Sequence, residues 1–243
     1  MLKAVNLTKS YGSRKVLRGL SISIEPGEIV SLIGVNGAGK TTLLRVLSDL
    51  ARADIGQVQF NNINTRNDPA EYRRQIGVVL HAPMLYGNLS AQENLRFFGR
   101  MYQISAIDER VNELLEMVNL RSRADDLVRA FSRGMQQRLS IARALLHDPA
   151  CLLLDEPYTG LDQDSSAVFE TLIQQAASAG KMVLLATHDL DKACRAGMRI
   201  DLLHQGKIAH SQPRADLTPE GLANLYREIT GALPVKLAEG GAE

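Results

Sequence analysis

Residues 34–41 read GVNGAGKT and match the pattern G-x-x-x-x-G-K-[ST]. An apolar run at 29–33 precedes them and apolar residues at helical spacing follow Gly39, which predicts a buried strand, a glycine-rich loop and a helix. In that arrangement backbone N–H groups curl around a phosphate, Lys40 faces its oxygens, and the Thr41 hydroxyl binds Mg²⁺. A glycine-rich turn with a chance lysine is the alternative. The expected nucleotide ligands in this loop are Gly34, Asn36, Gly37, Ala38, Gly39, Lys40, Thr41 and Thr42.

Two adjacent carboxylates, Asp155 and Glu156, follow the apolar strand 151–154. Open α/β sheets bind ligands at the carboxyl ends of their strands. Because neighbouring side chains of a strand point in opposite directions, we expect Asp155 to hold hydrated Mg²⁺ and Glu156 to orient and polarise an attacking water. A solvated acidic turn is the alternative. Together with the phosphate loop, the carboxylates indicate a P-loop NTPase, a class that also includes kinases, GTPases and helicases.

The elements that must position these residues alternate along the chain. Short strands are predicted over 2–7, 22–24 and 76–80, and a capping box at Ser90 opens a helix that ends near Tyr102. Further helices are predicted over 107–118 and up to about Asp148-Pro149. Strand, helix and strand then recur over 151–154, 165–179 and 182–186, as in a parallel sheet covered on both faces. The predicted fold class is therefore α/β.

The C-terminal region is predicted to hold one more helix. Thr218-Pro219 caps it and Gly231 ends it, and the small, polar tail at 238–243 is expected to be disordered.

Residues 131–138, FSRGMQQR, precede the carboxylate strand at the right spacing and resemble the signature motif of the ABC (ATP-binding cassette) ATPase family. Tyr11, the run TGLD at 159–162, and His188 fall where that family has its adenine-stacking aromatic, its D-loop and its switch histidine. The resemblance covers residues 1 to about 212 and five ordered motifs.

This resemblance implies the fold in more detail. It implies a P-loop NTPase core with a parallel sheet, an N-terminal antiparallel β subdomain, and a helical subdomain inserted at about 88–149. The ATPase domain would span 1–212, followed by a C-terminal helix and flexible tail at 213–243.

The resemblance also implies ATP and Mg²⁺ as cofactors and an ATP-dependent head-to-tail homodimer. Lys40, Glu156 and His188 would be catalytic, and Ser132 and Gly134 of one copy would face the ATP held by the other. Taken alone, Ser132 is equally well explained as a helix N-cap.

Two departures from the family pattern affect these expectations. The signature motif usually has glycine where Arg133 stands and glutamine where Met135 stands, and Arg133 either adds charge near the γ-phosphate or faces solvent. His81 replaces the usual Q-loop glutamine, so it is either a weaker metal contact or a plain loop histidine. His147, His204 and His210 lack metal spacing and are expected at the surface or in turns.

Composition limits the partners. With 28 Lys and Arg against 27 Asp and Glu, no basic excess favours nucleic acid. Neither a signal peptide nor an apolar run of the ~18 residues needed to span a membrane is found. Cys151 and Cys194 have no CxxC spacing and are expected to be structural in a reducing compartment. We therefore expect a cytoplasmic protein, bound at the inner face of the membrane through integral permease subunits.

Three functions compete. The first is the motor of a transporter. Its cargo is suggested by a second resemblance: His81, residues 85–98 and residues 132–149 resemble ATPase subunits assigned to haem export in bacterial cytochrome c maturation. A drug, sodium or lipid exporter is the alternative cargo class. A soluble ABC ATPase is disfavoured because no second cassette, coiled coil or basic tail occurs, and a non-hydrolysing module is disfavoured because Glu156 and His188 are present.

Overall fold

The computed structural model describes residues 1–233, so the predicted disordered tail at 238–243 lies outside the described residues. Within residues 1–233 the strands are β1 (Leu2–Tyr11), β2 (Arg14–Ile24), β3 (Ile29–Ile33), β4 (Ile55–Phe60), β5 (Ile63–Asn64), β6 (Ile76–Val79), β7 (Cys151–Asp155), β8 (Met182–Thr187), β9 (Arg199–His204) and β10 (Lys207–Pro213). The helices are α1 (Lys40–Leu47), α2 (Pro69–Arg74), α3 (Ala91–Met101), α4 (Ile107–Met117), α5 (Arg133–Leu145), α6 (Gln163–Ser178), α7 (Leu190–Ala196) and α8 (Pro219–Thr230).

The first sheet is antiparallel and has the order β2-β1-β4-β5. Strands β1 and β2 are longer than the sequence predicted, because bulges interrupt the alternation on which the prediction rested. The register of the β1–β2 pair shifts between Ala4 and Leu7, where Asn6 has a φ of 53°. The hairpin extends as far as the pair Tyr11–Arg14.

The second sheet has the order β10-β9-β3-β8-β7-β6. Five of its strands run parallel, and β10 pairs antiparallel to β9 at the edge. Strands β3, β7 and β8 are buried throughout. Alternate residues of β7 enter different cores: Leu152 and Leu154 pack with the helical region, and Leu153 packs with α1 and the antiparallel sheet. Burial on both faces explains why these strands read as continuous apolar runs.

Helices α3, α4 and α5 lie between β6 and β7 in the chain and form the predicted helical insertion. The capping box at Ser90 is present, since its Oγ accepts from the Glu93 N–H and its own N–H donates to Glu93 Oε2 at 2.8 Å. Helix α8 starts after Thr218 and ends at Gly231, as predicted. The α/β fold class with an antiparallel sheet, a parallel core and inserted helices is thereby confirmed.

His147 corrects one expectation. It is half-buried rather than a surface residue, and its ring stacks on Tyr102 with centroids 3.8 Å apart and planes 2° from parallel. Its Nε2 lies 3.1 Å from the Ile76 carbonyl oxygen, so the imidazole joins α3 to the start of β6. Burial lowers the pKa of His147 to about 4 from its usual 6.5, although the contact with Ile76 and the charge of Asp148 oppose that shift.

The His147 shift predicts how acid affects stability. Between pH 6.5 and pH 4 the unfolded chain binds a proton that folded His147 does not bind, so the free energy of unfolding falls as pH falls through this window. A shift of this size corresponds to roughly 3–3.5 kcal/mol once the pH is below both pKa values. We expect His147→Gln, whose amide can still reach the Ile76 carbonyl, to lose less stability than wild type between pH 8 and pH 4.5. Urea denaturation at both pH values measures the free energy of unfolding of the two proteins.

The pH 8 measurement separates lost packing from lost protonation, because the imidazole is neutral there in both states. If the free energy of unfolding falls by the same amount between pH 8 and pH 4.5 in wild type and His147→Gln, the lowered pKa of His147 is wrong.

Candidate functional site

The phosphate loop connects β3 to α1. Helix α1 begins at Lys40, and the preceding Gly39 has a φ of 115°, which residues with a side chain rarely adopt. A Cβ atom at Gly34 would lie 2.4 Å from the Leu203 carbonyl oxygen, so only glycine lets the loop pack against the end of β9. Both glycines are therefore required by local geometry, and they leave the loop N–H groups at a helix N-terminus.

Lys40 is buried within this loop. Its Nζ donates to the carbonyl oxygens of Gly34, at 2.5 Å, and Val35, at 3.3 Å. Burial lowers the pKa of Lys40, and the nearby charges of Glu156 and Asp155 oppose that shift. The ammonium is thus partly desolvated and held where the loop encloses a phosphate, which makes it suited to a strong charge-assisted contact.

Asp155 ends β7 and is also buried. The Thr41 Oγ1 donates to its Oδ2 at 2.7 Å, so the hydroxyl and carboxylate oxygens lie side by side. Burial raises the pKa of Asp155, the hydrogen bond from Thr41 opposes that rise, and the charge of Glu156 adds to it. Two adjacent oxygens on a desolvated carboxylate and a hydroxyl match the preference of Mg²⁺, so this pair fits the cation.

Glu156 is held in a less usual way. Its φ is 48°, and its N–H donates to the Ala186 carbonyl oxygen of β8 at 2.9 Å. The carboxylate contacts two residues at the end of β8: Thr187 Oγ1 donates to Oε2 at 3.0 Å, and His188 Nδ1 lies 2.6 Å from Oε1. The left-handed conformation turns the chain directly after β7, and the contacts with β8 hold the Glu156 carboxylate in place. Glu156 and His188 therefore form one unit.

These residues line a single cleft of about 560 Å³. The structure brings together there the following predicted residues: Asn36, Gly37, Gly39, Lys40, Thr41, Thr42, His81, Asp155, Glu156 and His188. It adds Arg14 and Val16, to which the sequence reasoning gave no place in the site, and Thr159, which the resemblance assigned only to the D-loop. For Arg133 the sequence left two options open, and the structure gives it an exposed position on the cleft wall.

Some predicted ligands do not line this cleft. Gly34 packs against the Leu203 carbonyl, and Ala38 is buried beneath the loop. Tyr11 is 49% exposed at the end of β1, and Lys9 Nζ lies 5.4 Å from its ring centroid. Ser132 and Gly134 lie at the start of α5, outside the cleft. Their predicted contact with the nucleotide of a second copy stays a prediction.

Ser132 is the N-cap of α5, since its Oγ accepts from the Met135 N–H at 3.2 Å. The capping function is confirmed, and the contact with phosphate stays a prediction. Gly134 has a packing function, because a Cβ atom there would lie 2.4 Å from the Gly160 carbonyl oxygen. The start of α5 is thereby pressed against the TGLD segment.

Comparison with known proteins identifies the family. The model of the ABC transporter family matches residues 17–159. The chain belongs to the ABC transporter family. Among curated relatives, the ABC transporter ATP-binding protein NatA of Bacillus subtilis is 37% identical over 81% of each chain. The Nod factor export ATP-binding protein I of Cupriavidus metallidurans is 39% identical, covering 88% of this chain and 71% of the relative. The linearmycin resistance ATP-binding protein LnrL of Bacillus subtilis is 35% identical, covering 89% and 70%.

Solved structures agree in fold. An ATP-binding subunit of an ABC transporter superimposes with a TM-score of 0.87 at 30% identity, covering 94% of this chain and 99% of that one. A dimeric ATP-binding cassette in a post-hydrolysis state, bound to ADP and Pi, superimposes with a TM-score of 0.81 at 32% identity, covering 88% and 99%. This ABC transporter subunit therefore binds ATP and hydrolyses it. No helix in residues 1–233 has the length and apolarity needed to cross a membrane.

The geometry around Glu156 predicts the effect of one substitution. Glu156→Gln keeps the shape of the side chain but removes the carboxylate that polarises water, so ATP binding should persist while turnover falls about 100-fold or more. Glu109→Gln, an exposed change on α4, is the matched control and should leave turnover unchanged. Phosphate release under saturating ATP measures turnover. If Glu156→Gln hydrolyses ATP within about tenfold of wild type, Glu156 does not have this function.

Proposed function

We propose that this chain is the ATP-driven motor of an exporter whose membrane-spanning subunits are separate polypeptides. The proposal depends above all on the single cleft in which Lys40 and its loop face Asp155, Glu156 and His188. The names of the Nod factor export and linearmycin resistance relatives favour outward transport. The subunit would then act at the cytoplasmic face of the membrane, attached through its permease.

Within the cleft we assign the binding functions as follows. Lys40 and the N–H groups of the loop hold the phosphates, and the exposed Tyr11 is available to stack on the adenine. Thr41 and Asp155, with His81 at the cleft wall, would hold Mg²⁺, which supplies neutralisation of the charge on the phosphate oxygens.

Glu156 is the group that orients water. Thr187 and His188 each occupy one lone pair of its two oxygens, so further lone pairs remain for a water hydrogen bond. The two contacts fix the carboxylate before any water binds, which lowers the cost of orienting it. His188 lines the cleft, and with both ring nitrogens protonated it can donate from Nδ1 to Glu156 and from Nε2 to the γ-phosphate.

Ser132 and Gly134 support an ATP-dependent homodimer. Both lie at the N-terminus of α5, where backbone N–H groups and a hydroxyl attract phosphate oxygens, yet neither lines the cleft of its own chain. A head-to-tail pair would bring them to the ATP of the partner. One solved relative, an ATP-binding cassette bound to ADP and Pi, is dimeric.

An exposed apolar surface on α3 and on the loop before it is suited to a membrane partner. It consists of Met84, Tyr86, Phe97 and Met101, which are 39%, 50%, 40% and 66% exposed; we call it the aromatic patch. The Tyr86 and Phe97 rings contact edge to face, with centroids 5.0 Å apart. Large exposed apolar groups that cluster in this way are typical of interaction sites.

The loop that carries Met84 and Tyr86 of the patch is fixed by one buried residue, Asn94 of α3. Its Oδ1 accepts from the Tyr86 N–H at 2.8 Å, and its Nδ2 donates to the carbonyl oxygens of Tyr86, at 3.0 Å, and Ser90, at 2.9 Å. A buried side chain with so many backbone contacts holds the loop in one conformation. The patch is thus presented as a preformed surface, as rigid docking requires.

Removing the patch should uncouple membrane attachment from hydrolysis. We expect the double variant Phe97→Ser, Met101→Ser to hydrolyse ATP within about twofold of wild type, because these residues are outside the cleft, and to lose its integral membrane partners. Affinity purification from gently solubilised native membranes measures the loss.

Met117→Ser is the matched control, since Met117 is 40% exposed on α4 and outside the patch. The control should retain the partners. If the double variant retains them too, the aromatic patch is not the docking site.

For the cargo, we propose haem as the first candidate. The support is the sequence resemblance of His81 and residues 85–98 to haem-export ATPases, and residues 85–98 include part of the aromatic patch. The named relatives handle other cargo, so a drug, sodium or lipid exporter is the alternative.

Deleting the gene in its host should abolish covalent haem staining of c-type cytochromes if haem is the cargo. A wild-type copy should restore the stain, and a Glu156→Gln copy should not, because export needs hydrolysis. Normal maturation of the cytochromes in the deletion strain would exclude haem and leave the ATPase assignment intact.

A further inference from the structure

The β1–β2 hairpin lies directly against the phosphate loop. A Cβ atom at Gly39 would meet the Val16 carbonyl oxygen at 3.4 Å and the Leu17 side chain at 3.2 Å. The Arg18 N–H donates to the Gly206 carbonyl oxygen at 3.0 Å, which joins the hairpin to the turn after β9. The start of β2 is therefore fixed in register relative to the loop that holds Lys40.

Arg14, the first residue of β2, extends over that loop. A Cβ atom at Gly37 would lie 3.6 Å from Arg14 Nη2, so the guanidinium stands beside the loop backbone. Strand alternation puts Arg14 and Val16 on one side, and both line the nucleotide cleft. Within residues 1–233 the guanidinium has no hydrogen bond, ion pair or ring contact, so its five donors are uncommitted.

The charge of the cleft favours an anion at this place. Its lining contains the cations Arg14, Lys40 and Arg133 against the carboxylates Asp155 and Glu156. Asp155 and Glu156 lie at the end of β7, whereas Arg14 belongs to the hairpin. Arg14 therefore adds positive charge to a part of the cleft wall that the carboxylates do not line. A planar guanidinium with free donors matches the geometry of phosphate oxygens.

We propose that Arg14 binds the phosphate chain of the nucleotide from the hairpin side of the cleft. This inference rests on the nucleotide cleft proposed above. The contact would tie the hairpin to the bound nucleotide, and the hairpin also carries Tyr11, which pairs with Arg14 in the sheet. Phosphate binding by Arg14 would then position Tyr11 for the adenine.

Calorimetric titration with Mg-ADP tests the contact without turnover. We expect Arg14→Ala to weaken binding about three- to tenfold, a modest loss because the guanidinium is exposed and competes with water. Arg14→Lys should recover part of the affinity. Lys15→Ala is the matched control, because Lys15 lines an adjoining cleft of about 410 Å³ and not the nucleotide cleft, and it should change the affinity less than twofold.

Inorganic triphosphate, which lacks base and ribose, identifies the moiety that Arg14 contacts. Its competition against Mg-ADP should weaken in Arg14→Ala by the same factor as Mg-ADP binding. If Mg-ADP binding weakens and triphosphate competition does not, Arg14 contacts the base or ribose and the inference is overturned.

Lys40→Ala separates this inference from the assignment of the cleft. Loss of affinity in Lys40→Ala with no loss in Arg14→Ala would overturn the Arg14 contact and leave the cleft in place. No loss in either variant would overturn the cleft itself. Circular dichroism of each variant verifies that the fold is retained.

Discussion

Parallel pairing of β3, β8 and β7 is the constraint on which the site depends. In this register Ile33 lies opposite Thr187, and Asp155 lies opposite Ala186, so the three strands end at the same edge. The phosphate loop continues from β3, the two carboxylates end β7, and Thr187 and His188 end β8. A one-residue slip of β7 would reverse the directions of its side chains and separate Asp155 from Thr41.

Such convergence buries charges, and their environment explains why a charged ligand is favoured. Burial is the largest cause of the lowered pKa of Lys40 and of the raised pKa of Asp155. The mutual attraction of the two groups therefore does not offset their loss of hydration, as is common for buried ion pairs. A triphosphate beside Lys40 and a divalent cation beside Asp155 each supply the opposite charge that the protein alone does not. Binding and electrostatic relief thus occur at the same atoms.

The sequence predicted the parts of this arrangement that local chemistry dictates. The glycines of the phosphate loop, the carboxylates after β7 and the cap at Ser90 were found because a turn, a strand end or a helix start has a short-range signal. Arg14 and Val16 were missed as cleft residues, because only the packing of β2 against the loop brings them there. The sequence predicts a surface or turn position for His147, because a stack on Tyr102, 45 positions away, leaves no local pattern. The strand β2 was underestimated because its bulges break the period-two alternation.

Helix α5 links the two regions that the fold keeps apart. Its first residue, Arg133, lies on the cleft wall. Residues further along the helix contact the segment between β6 and the aromatic patch. The Ser140 hydroxyl donates to the Pro83 carbonyl oxygen at 3.0 Å, and Arg143 donates to the Val78 carbonyl oxygen at 2.6 Å. The Arg143 guanidinium also lies 5.3 Å from the centroid of Phe98, next to the patch. These contacts connect the helix that begins at the cleft to Pro83 and to Phe98 beside the patch. The two departures from the family pattern, His81 and Arg133, thus stand where β6 and α5 each enter the cleft.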